Sequence, residues 1–109
     1  MVAGGRARAA VATAASETIV RVLVCGAAGR MGRQVTQAVL AESDLDLVGL
    51  CDVRDIPAEV RQDAPGAAFG SDLATLIGES SPEVMVDFTD AAAGPANILA
   101  AIDAGVSPV

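Results

Sequence analysis

The stretch VRVLVCGAAGRMGRQV, residues 20–35, restricts the possible folds of this chain more than any other. The run Ile19–Cys25 is β-branched and almost continuously apolar, the pattern of a strand covered on both faces. Glycines follow at three-residue spacing, Gly26, Gly29 and Gly32, and apolar residues then recur at Met31, Val35, Ala38 and Val39 with helical period. A buried strand that passes through a tight turn directly into a helix begins a strand–helix–strand unit. Such units build parallel sheets with right-handed crossovers.

The remainder of the chain repeats that alternation. Leu45–Cys51 reads as a second strand, residues 67–70 as a short third, Val84–Phe88 as a compact buried fourth, and Val106–Val109 as the start of another. One helical turn fits Ala58–Gln62 between Pro57 and Pro65, and a helix over Leu73–Ile77 can take Ser71 or Asp72 as its cap. A further helix is expected from Pro95, well suited to a first turn, to about Ala104, with Gly105 as its stop. The predicted class is therefore α/β, a Rossmann-like doubly wound parallel sheet with helices on both faces. Strand C-termini then share one edge, where ligands of such sheets bind, and Gly26, Asp52 and Phe88–Thr89 are expected there. Residues 1–18 are Ala-rich, carry Arg6 and Arg8 and hold no acid before Glu17, so they read as a disordered or extension segment before a domain over 19–109, with a targeting peptide as the other reading.

Composition removes several functions. A formal net charge of −7 with no basic stripe opposes nucleic-acid binding. No apolar run approaches the ~20 residues of a membrane span. All seven cationic side chains are arginine, and the 109 residues contain no His. The usual groups for moving protons near neutral pH are thus missing, and no catalytic residue is assigned. Without His or a CxxC pair, Cys25 and Cys51 do not suggest a metal site; they read as buried reduced thiols, which fits a reducing compartment such as the cytoplasm.

The glycine turn points to an anion. Glycine permits backbone angles that side chains oppose and allows close approach. The helix behind it turns its free N–H groups and the positive end of its dipole toward the same space. Gly32 has a separate task, letting the helix lie close to the sheet. A phosphate loop of the nucleotide-hydrolase kind needs a Lys that this chain lacks, which leaves the pyrophosphate of a dinucleotide. Asp52 ends the second strand about twenty residues after Gly32, where a carboxylate accepts hydrogen bonds from an adenosine ribose, or is simply solvated. Arg30 either meets a phosphate or lies in solvent. Arg54 either meets a 2′-phosphate, admitting NADP, or belongs to the surface. Phe88 and Thr89 end a central strand beside the expected nicotinamide, with core packing the other reading for Phe88. Asp87, in an apolar strand, needs a hydrogen-bond partner if buried.

Together, GAAGRMGRQV after VRVLVC, Asp52 after LVGLC, and VMVDFTD followed by a Pro- and Ala-containing helix to DAGV resemble the N-terminal domain of the 4-hydroxy-tetrahydrodipicolinate (dihydrodipicolinate) reductase family. The likeness covers residues 19–109. It implies a dinucleotide-binding domain joined to a second α+β domain, NADH or NADPH as cofactor, hydride transfer to a cyclic imine-type substrate on the diaminopimelate route to lysine, and a homotetrameric parent. It also implies a pyrophosphate loop formed by Gly26, Ala27, Ala28, Gly29, Arg30 and Met31, with Asp52 as the ribose-binding acid. In the family an arginine commonly follows that acid directly; here Val53 does, with Arg54 one place later. The family's Gly-Thr-Thr-Gly turn, paired histidines and lysine would lie beyond Val109, so the resemblance implies an N-terminal portion that holds cofactor and lacks the catalytic groups. Two other readings stay open: the first domain of another NAD(P)-dependent dehydrogenase, and a non-enzymatic dinucleotide sensor.

Overall fold

The computed structural model describes residues 19–89 and 93–109; the extension expected over residues 1–18 lies outside them. In chain order the elements are β1 (Val20–Cys25), α1 (Arg30–Ala41), β2 (Leu45–Cys51), α2 (Ala58–Asp63), β3 (Ala68–Gly70), α3 (Leu73–Ser80), β4 (Val84–Asp87), α4 (Gly94–Asp103) and β5 (Ser107–Pro108). Each agrees in kind with the expectation from sequence. The strands form one parallel sheet in the order β3-β2-β1-β4-β5. The first strand is thus central. The chain winds outward through α1 and α2, returns across β1, and winds the other way through α3 and α4. This reversal between β1 and β4 makes the sheet doubly wound and opens a crevice at their C-terminal ends.

Alternation along β1 divides the core. Val22 and Val24 face α1 and α2, where they pack with Leu47, Leu50, Val39 and Val60. Leu23 and Cys25 face α3 and α4, with Met85, Leu76, Ile77 and Ala101. An irregularity in β2 makes both faces work: the register passes from Val22↔Leu47 to Leu23↔Gly49, leaving Val48 as an extra residue. Leu47 and Leu50 therefore share one face although they are three apart. Gly49 lies under Leu23, whose Cδ1 is 2.9 Å from where a Cβ would stand. No helix among the described residues is long and apolar enough to cross a membrane.

Two local expectations need correction. The inward face of α1 is not the Met31–Val35–Ala38–Val39 stripe: Met31 is 52% exposed and Ala38 is exposed, while Gly32, Thr36 and Val39 are buried. The helix is rotated so that Gly32 abuts the turn, and the Thr36 hydroxyl is satisfied inside by donating to the Gly32 carbonyl at 2.8 Å. The helix expected over Leu73–Ile77 continues to Ser80 and ends at Ser81, which has φ 50°. Asp72 occupies its N-cap, but its carboxylate accepts from the Thr75 hydroxyl and not from a backbone amide. At α4 the punctuation is as expected, with Pro95 in the first turn and Gly105 at φ +78°.

Candidate functional site

The turn from β1 into α1 is held by the protein's own atoms. Gly26 has φ +81°, and its N–H donates to the Cys51 carbonyl at 2.8 Å. A Cβ on Gly26 would fall 2.7 Å from the carbonyl carbon and oxygen of Phe88, because the end of β4 passes directly over it. A Cβ on Gly32 would fall 1.9 Å from the Gly26 oxygen, which is the close helix-to-sheet approach expected of that residue. At Gly29 the nearest group is the Arg54 guanidinium, with Nη2 at 3.1 Å from the Cβ position. The sequence reading gave the space at Gly26 and Gly29 to an external ligand. In the structure the β4 backbone fills the first and Arg54 covers the second.

The amides of the turn are similarly committed. Ala27 donates to the Cys51 carbonyl at 3.2 Å, Gly29 to the Gly26 carbonyl at 3.1 Å, and Ala28 to Asp52 Oδ2 at 2.9 Å. Ala27 is fully buried. This narrows the expected pyrophosphate loop. Ala27, Ala28 and Gly29 shape the turn, and the amides of the first turn of α1, at Arg30, Met31 and Gly32, have no intrahelical carbonyl to reach. Both Arg30 and Met31 are exposed there.

Asp52 joins the end of β2 to that turn. It is only 6% exposed, and both oxygens are engaged. Oδ2 accepts from the Ala28 amide and from Arg54 Nη2 at 3.1 Å; Oδ1 accepts from the Arg54 amide at 2.9 Å and from Arg54 Nε at 3.2 Å. Burial by itself would raise the Asp52 pKa. The hydrogen bonds from the Arg54 side chain, the Arg54 amide and the Ala28 amide, together with the arginine's charge, outweigh it and hold the carboxyl below its ordinary value. Asp52 is therefore an anion at neutral pH and a fixed acceptor, not a loosely solvated strand end.

The end of β4 supplies the opposite wall. Phe88 donates its amide to the Cys25 carbonyl at 2.9 Å, and its side chain is 41% exposed, so plain core packing does not describe it. Asp87 has the partner its setting requires: Oδ1 accepts from the Thr89 amide at 2.8 Å and from the Thr89 hydroxyl at 2.6 Å. Asn97 on α4 donates to the same hydroxyl at 3.2 Å. Gly26, Asp52, Arg54, Phe88, Thr89 and Asn97 all line one cleft of about 720 Å³ at the C-terminal edge of the sheet. A second cavity of about 500 Å³ lies beyond Asp52, lined by Arg54, Asp55, Arg61 and Phe69 among others, with the Arg61 guanidinium 4.9 Å from the centre of the Phe69 ring. Asn97, Arg61 and Phe69 carry no local sequence signal; the winding of the sheet brings them to the edge.

Deeper in the same edge, Cys25 and Cys51 are registered partners on β1 and β2, and both are buried free thiols. Their shared hydrogen bond, then burial, push the Cys25 thiol up.

Comparison with known proteins gives the family and the fold. The family described as "Dihydrodipicolinate reductase, N-terminus" matches residues 20–109. A 4-hydroxy-tetrahydrodipicolinate reductase of Moorella thermoacetica is 45% identical over 94 residues, covering 83% of this chain and 35% of the relative. One from Methanocorpusculum labreanum is 37% identical over 91 residues, covering 84% and 35%. The chain thus spans about 35% of the length of the curated relatives it matches. Among solved structures, the dipicolinate-bound dihydrodipicolinate reductase from Paenisporosarcina sp. TG-14 superposes with a TM-score of 0.71 at 23% identity, covering 84% of this chain and 36% of that one. A scyllo-inositol dehydrogenase from Lactobacillus casei, with bound NAD(H) and scyllo-inositol, shares the fold at a TM-score of 0.73 and 15% identity, covering 84% and 27%. From its first strand to its fifth, the chain belongs to the dihydrodipicolinate reductase family and corresponds to that family's N-terminal region.

Proposed function

We propose that this chain is the nicotinamide-dinucleotide-binding part of a 4-hydroxy-tetrahydrodipicolinate reductase acting in lysine and diaminopimelate biosynthesis, in a homotetrameric cytoplasmic parent. The observation that carries the reading is the joint at Asp52. A buried, ionised carboxylate at the end of β2 is tied to the glycine turn, next to the first turn of α1 and at the mouth of a cleft of about 720 Å³. An extended ligand with an anionic middle and a hydroxyl-bearing end fits these groups.

In this assignment the first-turn amides of α1 hold the diphosphate and Asp52 accepts from the adenosine ribose. Phe88, Thr89 and Asn97 border the nicotinamide end. Bound there, a reduced nicotinamide supplies hydride for an imine-type substrate. The chain's own residues bind and orient. With no His or Lys in the 109 residues, the proton for the substrate nitrogen comes from groups outside them, and this chain alone has no reductase turnover. The paired reduced thiols suit the cytoplasm.

Titrating NADH and NADPH into the wild-type chain and Asp52→Ala, followed by nicotinamide fluorescence, tests the assignment. Micromolar binding to wild type and at least about tenfold weaker binding to the variant are expected, since the ribose loses a charged acceptor. Equal affinity in the two proteins removes Asp52 from the site.

A further inference from the structure

Asp87 closes β4 with a carboxylate in a strand that is otherwise apolar, and the hydrogen bonds that reach it run in one direction. Its Oδ1 accepts from the Thr89 amide at 2.8 Å and from the Thr89 hydroxyl at 2.6 Å. A carboxylate only accepts, and a threonine hydroxyl has one proton to give. That proton goes to Asp87, so Thr89 Oγ1 meets its other neighbour as an acceptor. The neighbour is Asn97, near the start of α4, whose Nδ2 lies 3.2 Å away. An amide side chain fits a site either way round, but only its NH2 end donates. Asp87 therefore decides, through Thr89, which end of the Asn97 amide faces β4.

One amide hydrogen serves this relay. The second hydrogen and the Oδ1 acceptor remain, and Asn97 and Thr89 both line the cleft of about 720 Å³. The walls beside them are small or apolar, with Leu73, Ala93 and Ala100. A planar group with a donor and an acceptor side by side matches an amide held in this way and pairs with it through two hydrogen bonds. A tie between β4 and α4 alone would need only one donor from the helix.

We propose that Asn97 reads such a donor–acceptor edge, and that Asp87 is a positioning residue that fixes the order in which Asn97 presents its own donor and acceptor. The proposal rests on the dinucleotide reading above and names a residue that recognises the ligand's rings. A nicotinamide dinucleotide carries two edges of this kind, the carboxamide of the nicotinamide and the amino edge of the adenine. The assignment above puts the first of them at this wall, and the test separates the two. Because the relay holds Asn97, an altered edge is not met by turning the amide over, and one of its polar groups is left unpaired.

The test is calorimetric titration of the chain with three reduced dinucleotides. These are NADH, its 3-acetylpyridine analogue, in which a methyl replaces the carboxamide NH2, and its hypoxanthine analogue, in which oxygen replaces the adenine amino group. Wild type is expected to bind one analogue about tenfold weaker than NADH, from the lost bond and the acceptor left without a donor. The analogue that suffers identifies the edge. In Asn97→Leu, of similar size, that penalty is expected to vanish, with NADH itself bound about tenfold weaker. Thr89→Val removes the hydroxyl and keeps the shape, and Asp87→Ala frees the hydroxyl proton. In both, the penalty is expected to fall to about threefold or less, whereas Thr89→Ser keeps it in full. A residue that only holds β4 to α4 weakens all three ligands together and leaves their ratios alone. Equal affinities for the three ligands in wild type, or a penalty that survives Asn97→Leu, overturn the reading of the edge. A penalty untouched by Thr89→Val overturns the positioning role of Asp87. Should Asp87→Ala not melt cooperatively, Thr89→Val decides alone. If wild type binds no dinucleotide at all, the dinucleotide reading fails first and this proposal with it.

Discussion

Replacing Gly32 with alanine should cost this fold more than any surface change, although alanine is the better helix former. The added Cβ would stand 1.9 Å from the Gly26 oxygen, 2.7 Å from the Gly26 carbon and 3.0 Å from the Ala27 Cα. Ordinary contact begins near 3.4 Å, so α1 and the turn would have to separate by 1.5 Å at that point. Neither side yields readily. Gly26 is pinned by its N–H on Cys51 and by the β4 backbone packed over it. On the other side, α1 is seated through Thr36 and Val39. Overpacking of this kind costs about 1–3 kcal/mol, and backbone neighbours place it at the upper end. Better helix propensity returns about 1 kcal/mol. The net loss of about 2 kcal/mol corresponds to a fall of roughly 8–16 °C in Tm for a domain of this size. Gly78 supplies the control. It lies within α3, and a Cβ there meets nothing within 4 Å. Gly78→Ala should therefore raise Tm, by about 4–8 °C. Far-UV circular dichroism melts of the three proteins decide the matter. Should Gly32→Ala melt at or above wild type, or should both variants shift in the same direction, the steric account of the turn is wrong.

Two further outcomes follow from the chemistry of the buried edge. The Asp52 pKa is lowered on folding, so the carboxylate contributes stability above its unfolded value near 3.9 and loses it as pH falls through the lower folded value. Asp52→Asn should therefore be less stable than wild type in urea by about 1–2 kcal/mol at pH 7, and the gap should close as pH falls through the lowered folded value; a gap that widens in acid contradicts the hydrogen-bond pattern. Cys25 and Cys51 are 0% and 6% exposed, and Cys25 is held further from ionisation by its partner and by burial. A thiol-specific disulfide reagent should then label them only at the rate of unfolding, rising steeply with added urea. Rapid labelling in native buffer would show an edge more open than the structure describes.

What could be read from sequence was whatever carries its signal locally. Ile19–Cys25 and Val84–Phe88 announce strands by composition, although in β4 only Met85 is buried, and Pro95 and Gly105 punctuate α4 by their backbone restrictions. The shared edge followed from handedness alone once the alternation was seen. On the inward face of α1, Gly32 and Val39 were legible but Thr36 was not, because it is polar; its hydroxyl is satisfied inside by the Gly32 carbonyl. The extra residue at Val48 and the arrival of Asn97, Arg61 and Phe69 depend on how distant segments pack, which no window of sequence records.

The glycines show why a motif needs a second observation. Gly26 and Gly32 are required by internal close approaches whether or not any ligand binds, and Gly29 faces an arginine. A strand–turn–helix joint would need two of them for packing alone, so the spacing by itself does not distinguish a cofactor domain from any other sheet of this kind. Asp52 is the second observation. Its carboxylate is buried at the end of β2 because hydrogen bonds from the Ala28 amide and from Arg54 outweigh the desolvation it incurs. In the proposed assignment the same ion also serves an occupant of the cleft, with the Ala28 amide to aim it and Arg54 beside it to balance its charge.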